Sequence, residues 1–86
     1  MNIGYHRDFE RAYQKLHTTR QKNVRERIAL FSDDEFHPLL NNHALRGKYE
    51  GYRSINVGGD LRAIYKELGK NIAYFVELGT HSKLYS

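Results

Sequence analysis

The C-terminal half of the chain alternates between apolar runs and glycine turns, which is the pattern of consecutive antiparallel strands. The runs cover residues 49–57, 61–68 and 72–78, and the turns at 58–60 and 69–71 separate them. The third run is almost wholly apolar, which predicts an interior strand covered on both faces.

The N-terminal half has helical spacing instead. Asp8 is the expected N-cap of a first helix. The apolar stripe of this helix consists of Phe9, Ala12, Tyr13 and Leu16. A second helix is expected to start at a Thr18 or Thr19 cap and to end near residues 32–34. Its stripe consists of Val24, Ile28 and Phe31.

The order of these elements predicts an α+β fold. Residues 3–5 can form a short first strand, and Pro38 with the asparagines after it marks a turn-rich link between helices and sheet. We therefore expect two N-terminal helices packed on a small antiparallel sheet. The length of 86 residues predicts a single domain spanning residues 1–86.

Composition narrows the class of protein. The chain has no cysteine, which excludes disulfides and thiolate metal sites. It has neither an apolar run of membrane-spanning length nor a signal peptide, so we expect a cytoplasmic protein without membrane contact. The net charge is +4, and residues 1–30 hold seven Lys/Arg against three Asp/Glu. This excess favours an acidic partner, either nucleic acid or an acidic protein segment.

Three cations recur every four residues on the first helix, namely Arg7, Arg11 and Lys15. They line one side of it, either as phosphate contacts or as an ordinary solvated face. Arg46 and Lys48 flank Gly47 and are candidate phosphate contacts, as is Arg62. Arg53 lies among apolar positions and is expected to be structural.

The histidines are the candidates for proton transfer, because their pKa lies near physiological pH. None of the five has a metal-ligand spacing such as His-x-x-x-His, so we predict neither a metal nor another cofactor. His81 follows the third run in a Gly-Thr-His turn. His43 lies at the junction of helices and sheet, where binding a nearby backbone carbonyl is the alternative role. The other three histidines are expected to be surface or capping residues.

Two further residues, Asp60 and Tyr85, are candidates for a role in catalysis or substrate binding. Asp60 could act as a base, orient a histidine or form an Asx turn within its glycine cluster. Tyr85 could stack on a base, donate from its hydroxyl or pack on the core.

Residues of the C-terminal half carry a family resemblance. The pattern comprises His43, Leu45, Gly47, Tyr49, Gly51, Tyr52, Arg53, Asp60, Ile64, Tyr65, Gly79, Thr80, His81, Ser82, Leu84 and Tyr85. In order and spacing it resembles the YafQ-like branch of the RelE/ParE toxin superfamily. The resemblance implies a RelE-like fold and the toxin of a type II toxin–antitoxin pair. It also implies ribosome-dependent mRNA cleavage, with a cognate antitoxin, the ribosome and mRNA as partners.

The resemblance assigns roles to the candidates. It implies a catalytic histidine at His81, a second one at His43, a functional aspartate at Asp60 and an aromatic residue near the substrate at Tyr85. Metal-independent RNA cleavage uses the substrate's 2′-hydroxyl as nucleophile, a base to deprotonate it and an acid to protonate the leaving oxygen. We expect His81 to be the acid, with His43 or Asp60 as base.

Two residues depart from the family pattern. Asn56 replaces a usual histidine, and Glu77 replaces an arginine that usually precedes Gly-Thr-His. Asparagine cannot transfer a proton, and a carboxylate repels phosphate. We therefore expect weak cleavage. The alternatives are a non-catalytic toxin-fold protein, which binds an antitoxin in operator repression or inhibits another target as ParE-like members do, and a basic RNA-binding module.

Overall fold

The computed structural model describes residues 1–85, in which the backbone forms five strands and three α-helices. The strands are β1 (Asn2–Tyr5), β2 (His43–Ala44), β3 (Arg53–Asn56), β4 (Leu61–Glu67) and β5 (Ile72–Thr80). The helices are α1 (Arg7–Gln14), α2 (Thr18–Asp33) and α3 (His81–Tyr85), and short 3-10 turns cover Pro38–Leu40 and Gly47–Tyr49. The predicted α+β arrangement of helices on a sheet is confirmed.

The sheet is mixed rather than wholly antiparallel. Its strand order is β1-β5-β4-β3-β2, and β1 runs parallel to β5 while the other neighbours are antiparallel. The turn pattern predicted only the antiparallel strands because it connects neighbours in sequence, whereas β1 and β5 lie at opposite ends of the chain. The third run, β5, is an interior strand as predicted, between β1 and β4.

The strand predicted over residues 49–57, the first of the three C-terminal runs, is shorter than predicted. Only Arg53–Asn56 forms β3, and Tyr49 lies in a 3-10 turn. Gly47 and Gly51 have φ of 69° and 91°, a left-handed conformation that interrupts a strand and that glycine adopts at little cost. The aromatic residues of this segment therefore do not belong to the ladder.

Histidines, not the predicted aspartate and threonines, cap the helical segments. In each cap, Nδ1 accepts a hydrogen bond from the backbone N–H two residues later, at 3.0, 3.3 and 3.1 Å. The capping residues are His6, His17 and His37. Nδ1 occupies the position of an asparagine side-chain oxygen and can replace it as acceptor. Asp8, Thr18 and Thr19 instead lie inside the first helical turns.

The core lies between the α1–α2 layer and one face of the sheet. Phe31 of α2 is fully buried, and its ring is 4.8 Å from that of Tyr65 and 5.4 Å from that of Phe75. Arg53 is structural, as expected: its Nε donates to Asn42 Oδ1 at 2.8 Å, and Asn42 Nδ2 donates to the Tyr65 hydroxyl at 2.8 Å. This chain of hydrogen bonds ties the link segment to the sheet.

The opposite face of the sheet is covered in part by α3. Leu84 is buried there, and a Cβ on Gly79 would lie 3.3 Å from its side chain. The absence of a side chain at Gly79 thus lets α3 pack directly on the end of β5. We refer to this side of the sheet, away from α1 and α2, as the open face. Across residues 1–85, every helix is too short or too polar to span a lipid bilayer.

Candidate active site

Strand register brings distant residues together on the open face. Ser54 pairs with His43 on one side and with Ile64 on the other, and Ile64 pairs with Glu77. Directly paired residues project from the same face of a sheet. Ile64 belongs to the open face because it is fully buried yet outside the core cluster beneath α1 and α2. The whole cross-strand row therefore lies beside α3.

Helix α3 presents two of the predicted residues together. His81 begins the helix and Tyr85 ends it, so the two side chains are one helical turn apart. Their ring centroids are 4.7 Å apart. The Tyr85 hydroxyl donates to Ser54 Oγ at 2.9 Å, whereas His81 is exposed to solvent. A buried anchor thus holds Tyr85 beside an accessible histidine.

His43 has a defined orientation. Its Nδ1 lies 2.8 Å from the backbone carbonyl oxygen of Asn41. A carbonyl only accepts hydrogen bonds, so Nδ1 is the protonated nitrogen, and Nε2 of the neutral ring carries the free lone pair. The contact predicted as the alternative role of His43 is thus present, and it also prepares the ring to accept a proton at Nε2. Through its pairing with Ser54, His43 shares the open face with Tyr85.

Asp60 is connected to His81 through its backbone rather than its carboxylate. Its carbonyl oxygen accepts a hydrogen bond from the His81 N–H at 2.9 Å. Its carboxylate instead accepts a hydrogen bond from Arg20 of α2 at 3.2 Å. Of the three alternatives for Asp60, orientation of a histidine by this carboxylate is therefore not observed. The Asx turn of this segment belongs to Asn56, whose Oδ1 accepts from the Gly58 N–H at 2.8 Å.

Arg20 is a residue that the sequence did not indicate. It lies 40 positions before Asp60, and no local pattern connects the two. Both side chains are largely exposed, so their ion pair contributes less than about 1 kcal/mol to stability. Its relevance is electrostatic, because it places a guanidinium beside the 58–60 turn, whose Asp60 carbonyl accepts the hydrogen bond from the His81 N–H.

The predicted cations separate into two groups. Arg62 lies on the open face opposite Asn56, and its guanidinium donates to the Gly59 carbonyl at 2.8 Å and the Leu61 carbonyl at 3.0 Å. Arg46 and Lys48 are exposed in and before the 3-10 turn at Gly47–Tyr49. The α1 cations, Arg7, Arg11 and Lys15, are exposed in the helical layer on the other side of the sheet. The structure thus does not bring the three α1 cations together with His81.

Two tyrosines within the run predicted as a strand extend this site. Tyr49 lies 6.3 Å from Tyr85 and 6.2 Å from Tyr52, measured between ring centroids. The pKa of the Tyr49 phenol is raised by burial, then by the Glu77 carboxylate and by Tyr85. Glu77 is therefore close enough to influence this cluster. The sequence signal for these tyrosines is the aromatic spacing around Gly51, which resembles β periodicity.

A cavity lies on the α1–α2 side of the sheet, away from the open face. It has a volume of about 580 Å³ and lies between α1, α2 and the edge strand β1, with Arg25 and Glu10 among its polar residues. Apolar side chains form most of the rest, including Ile3, Tyr5, Phe9, Tyr13 and Ile28. Among residues 1–85, no group of three or more His, Cys, Asp and Glu side chains could hold a metal ion.

Comparisons with known proteins identify the family and the fold of the chain. A family model described as a bacterial toxin of type II toxin–antitoxin system, YafQ, matches residues 1–86. The crystal structure of YafQ from E. coli strain BL21(DE3) is 24% identical with a TM-score of 0.78, covering 99% of this chain and 98% of that chain. A chain of the E. coli DinJ–YafQ complex is 26% identical with a TM-score of 0.76, covering 99% and 98%.

A more distant structure shares the fold. The YoeB/ParE toxin from Agrobacterium tumefaciens is 18% identical with a TM-score of 0.77, covering 94% of this chain and 99% of that chain. No curated protein matches the chain in sequence. The helix-and-sheet arrangement is therefore common to YafQ and to the YoeB/ParE toxin. The family model that matches the whole chain is that of YafQ.

Proposed function

Because the chain belongs to the YafQ family of bacterial toxins of type II toxin–antitoxin systems, we propose that it cleaves mRNA on the ribosome. The observation that carries this proposal is the placement of His81, Tyr85 and His43 on one face of the sheet. Two histidines beside a half-buried tyrosine supply the acid and the base that metal-independent RNA cleavage needs. No cofactor is required for this reaction.

The proposed reaction assigns one step to each histidine. His43 Nε2 accepts the proton of the 2′-hydroxyl, whose oxygen forms a bond to phosphorus. The bond from phosphorus to the 5′ oxygen breaks, and His81 protonates that oxygen. The products are a 2′,3′-cyclic phosphate and a 5′-hydroxyl end. We assign the base to His43 rather than Asp60, because the Asp60 carboxylate is bound by Arg20.

Cations and Tyr85 complete the proposed site. The phosphorane formed during cleavage carries extra negative charge, which fixed positive groups stabilise. Arg62 is held across the turn by two backbone carbonyls, so little reorganisation is needed for it to meet a phosphate. Arg46 and Lys48 are exposed nearby in sequence to His43 and supply further contacts. Tyr85 is held by Ser54 in a position to stack on a base.

The proposed partner is a cognate antitoxin. The E. coli DinJ–YafQ complex supports this, since it pairs a toxin of the same family with DinJ. The cavity between α1 and α2 is mostly apolar, and its charged residues are Arg25 and Glu10. Strand β1 beside it is an edge strand, which can accept a further strand. These features suit an acidic, amphipathic segment of the antitoxin.

The test of the proposal is cleavage of a chemically altered message. Ribosomes programmed with a short mRNA are incubated with the purified protein, and the RNA ends are mapped. We expect cleavage of the all-ribose message and none when the nucleotide before the cleavage site lacks its 2′-hydroxyl, because that oxygen is the nucleophile. Cleavage of the 2′-deoxy message would contradict the proposed chemistry. Absence of cleavage of either message would contradict the proposed function.

The two departures from the family pattern favour a second candidate function. Asn56 uses its side-chain oxygen in a turn and cannot transfer a proton. Glu77 places a negative charge on the open face, where it opposes phosphate. A protein that binds an antitoxin in operator repression, or inhibits another target, without cutting RNA would have these features. Such a protein would bind the antitoxin but would cleave neither the all-ribose message nor the 2′-deoxy message.

The basic stripe of α1 is tested separately. If the protein contacts ribosomal RNA through Arg7, Arg11 and Lys15, replacing all three with glutamate will weaken ribosome association. Removal of each phosphate contact lowers the slope of log affinity against log salt by roughly one, because fewer counterions are released. The measurement is ribosome binding at several salt concentrations, with Lys70→Glu, in the β4–β5 turn, as the control. Unchanged affinity would identify the stripe as a solvated face.

A further inference from the structure

Three tyrosines form a continuous row that ends at His81. In order they are Tyr52, Tyr49 and Tyr85, with centroid distances of 6.2 and 6.3 Å. His81 continues the row at 4.7 Å from Tyr85. All three tyrosines are partly exposed rather than buried in the core. We call this set the tyrosine row.

Lysines accompany Tyr49 and Tyr52, the two tyrosines farther from His81. Lys48 Nζ lies 5.2 Å from the centroid of the Tyr49 ring, and Lys66 Nζ lies 5.5 Å from that of Tyr52. Both lysines are exposed, and within residues 1–85 neither forms an ion pair with a carboxylate. Positive charge beside accessible aromatic rings is the combination by which proteins bind single-stranded nucleic acid.

The row is held in place by elements on both sides. The Tyr85 hydroxyl is bound to fully buried Ser54, which fixes one end. At the other end, the Tyr52 N–H donates to the Tyr49 carbonyl at 2.9 Å, and the Tyr52 carbonyl accepts from Leu45 at 2.9 Å. The side-chain bond fixes the Tyr85 ring, and the backbone bonds fix the turn that carries the other two tyrosines, which reduces the entropy lost on binding a ligand.

We infer that the tyrosine row is a binding track for single-stranded RNA, on which successive bases stack while Lys48 and Lys66 contact the phosphates. This inference rests on the proposed function for its direction, because the row leads from Tyr52 to His81. A base on Tyr85 lies next to His81, and bases further along occupy Tyr49 and Tyr52. Stacking is indifferent to base identity, so the track binds RNA with little sequence preference.

The test measures binding without cleavage. A fluorescein-labelled, 2′-O-methylated oligoribonucleotide cannot be cut through its 2′ oxygen, so its anisotropy with the purified full chain reports binding alone. We expect Tyr49→Ala and Tyr52→Ala each to weaken binding by roughly five- to 150-fold through the loss of one stacked base. The phenylalanine variants retain the ring and should bind like the wild type. Tyr74→Ala, outside the row, is the matched control.

The lysines provide a second measurement that leaves every aromatic ring of the row in the chain. Lys48→Gln with Lys66→Gln changes only exposed side chains, and we expect it to lower the salt slope by roughly 0.7 for each phosphate that the variant no longer neutralises. Lys70→Gln is the control. Circular dichroism of each variant verifies its fold.

Several results would overturn the inference. These are wild-type affinity in the folded alanine variants, equal weakening by phenylalanine and alanine, or an unchanged salt slope in the lysine variant. Loss of antitoxin binding with unchanged RNA binding would make the row a protein-binding surface instead. RNA binding by the row in a protein that cuts no programmed message would leave the track intact and reject the proposed function alone.

Discussion

Replacing His81 with glutamine is expected to abolish cleavage of ribosome-bound mRNA while leaving the fold intact. His81 is exposed at the start of α3, so its side chain contributes little to packing. Loss of a general acid typically lowers the rate by about 10²–10⁴, which corresponds to about 3–5 kcal/mol of transition-state stabilisation. Substitution of an exposed side chain changes the free energy of unfolding by only about 0.5 kcal/mol. The measurement is single-turnover cleavage of a programmed ribosome, together with thermal unfolding of the variant.

A second histidine supplies the control for this experiment. His17→Gln removes the N-cap of α2, far from α3 in sequence, and costs roughly 0.5–2 kcal/mol of stability. We expect this variant to unfold at a lower temperature yet to cut RNA at the wild-type rate. The opposite pattern, with cleavage and growth arrest preserved in His81→Gln, would remove His81 from the mechanism.

The largest expected effect on stability follows from Phe31→Ala. The Phe31 ring is fully buried and packs against the rings of Tyr65 and Phe75 between the helices and the sheet. Truncation of a buried phenylalanine costs about 3–5 kcal/mol, because the burial of the ring is forfeited and a cavity remains. A domain of this length has a total stability of roughly 4–13 kcal/mol. The variant should therefore be close to the threshold of unfolding in urea titrations followed by circular dichroism.

Phe36→Ala makes the same chemical change at an exposed position. Its side chain is 61% exposed, and its ring lies 5.5 Å from the Arg53 guanidinium. An exposed cation–π interaction contributes about 0.5–1 kcal/mol, so we expect a correspondingly small decrease in stability. Equal destabilisation by the two substitutions would mean that the core is not organised around Phe31.

The individual residues of the candidate site were predicted from the sequence, but the contacts that hold them together were not. His81, His43 and Tyr85 were identified from their motif positions, and the structure brings them to one face. Their connection through Ser54 could not be predicted, because it requires the strand register and the direction in which α3 folds back. The same holds for Arg20, whose hydrogen bond to Asp60 joins segments 40 residues apart.

The amino-acid pattern by itself determined the repeating elements. The spacing of Val24, Ile28 and Phe31 defines the buried side of α2, and the glycine turns at 58–60 and 69–71 delimit β4 and the start of β5. These features follow from local rules, because helical and strand periodicity and turn chemistry depend only on neighbouring residues.

Tertiary structure alone decided how these elements combine. β1 joins the sheet parallel to β5, which no turn specifies, and left-handed Gly47 and Gly51 convert a strand-like run into a tyrosine-bearing turn. α3 packs on the open face because Gly79 admits Leu84. Each outcome depends on packing between residues far apart in the chain, where burial of apolar surface outweighs local propensity. Local pattern therefore identified the helices and strands, the family resemblance indicated the candidate residues, and long-range packing placed His81, His43 and Tyr85 on a common surface.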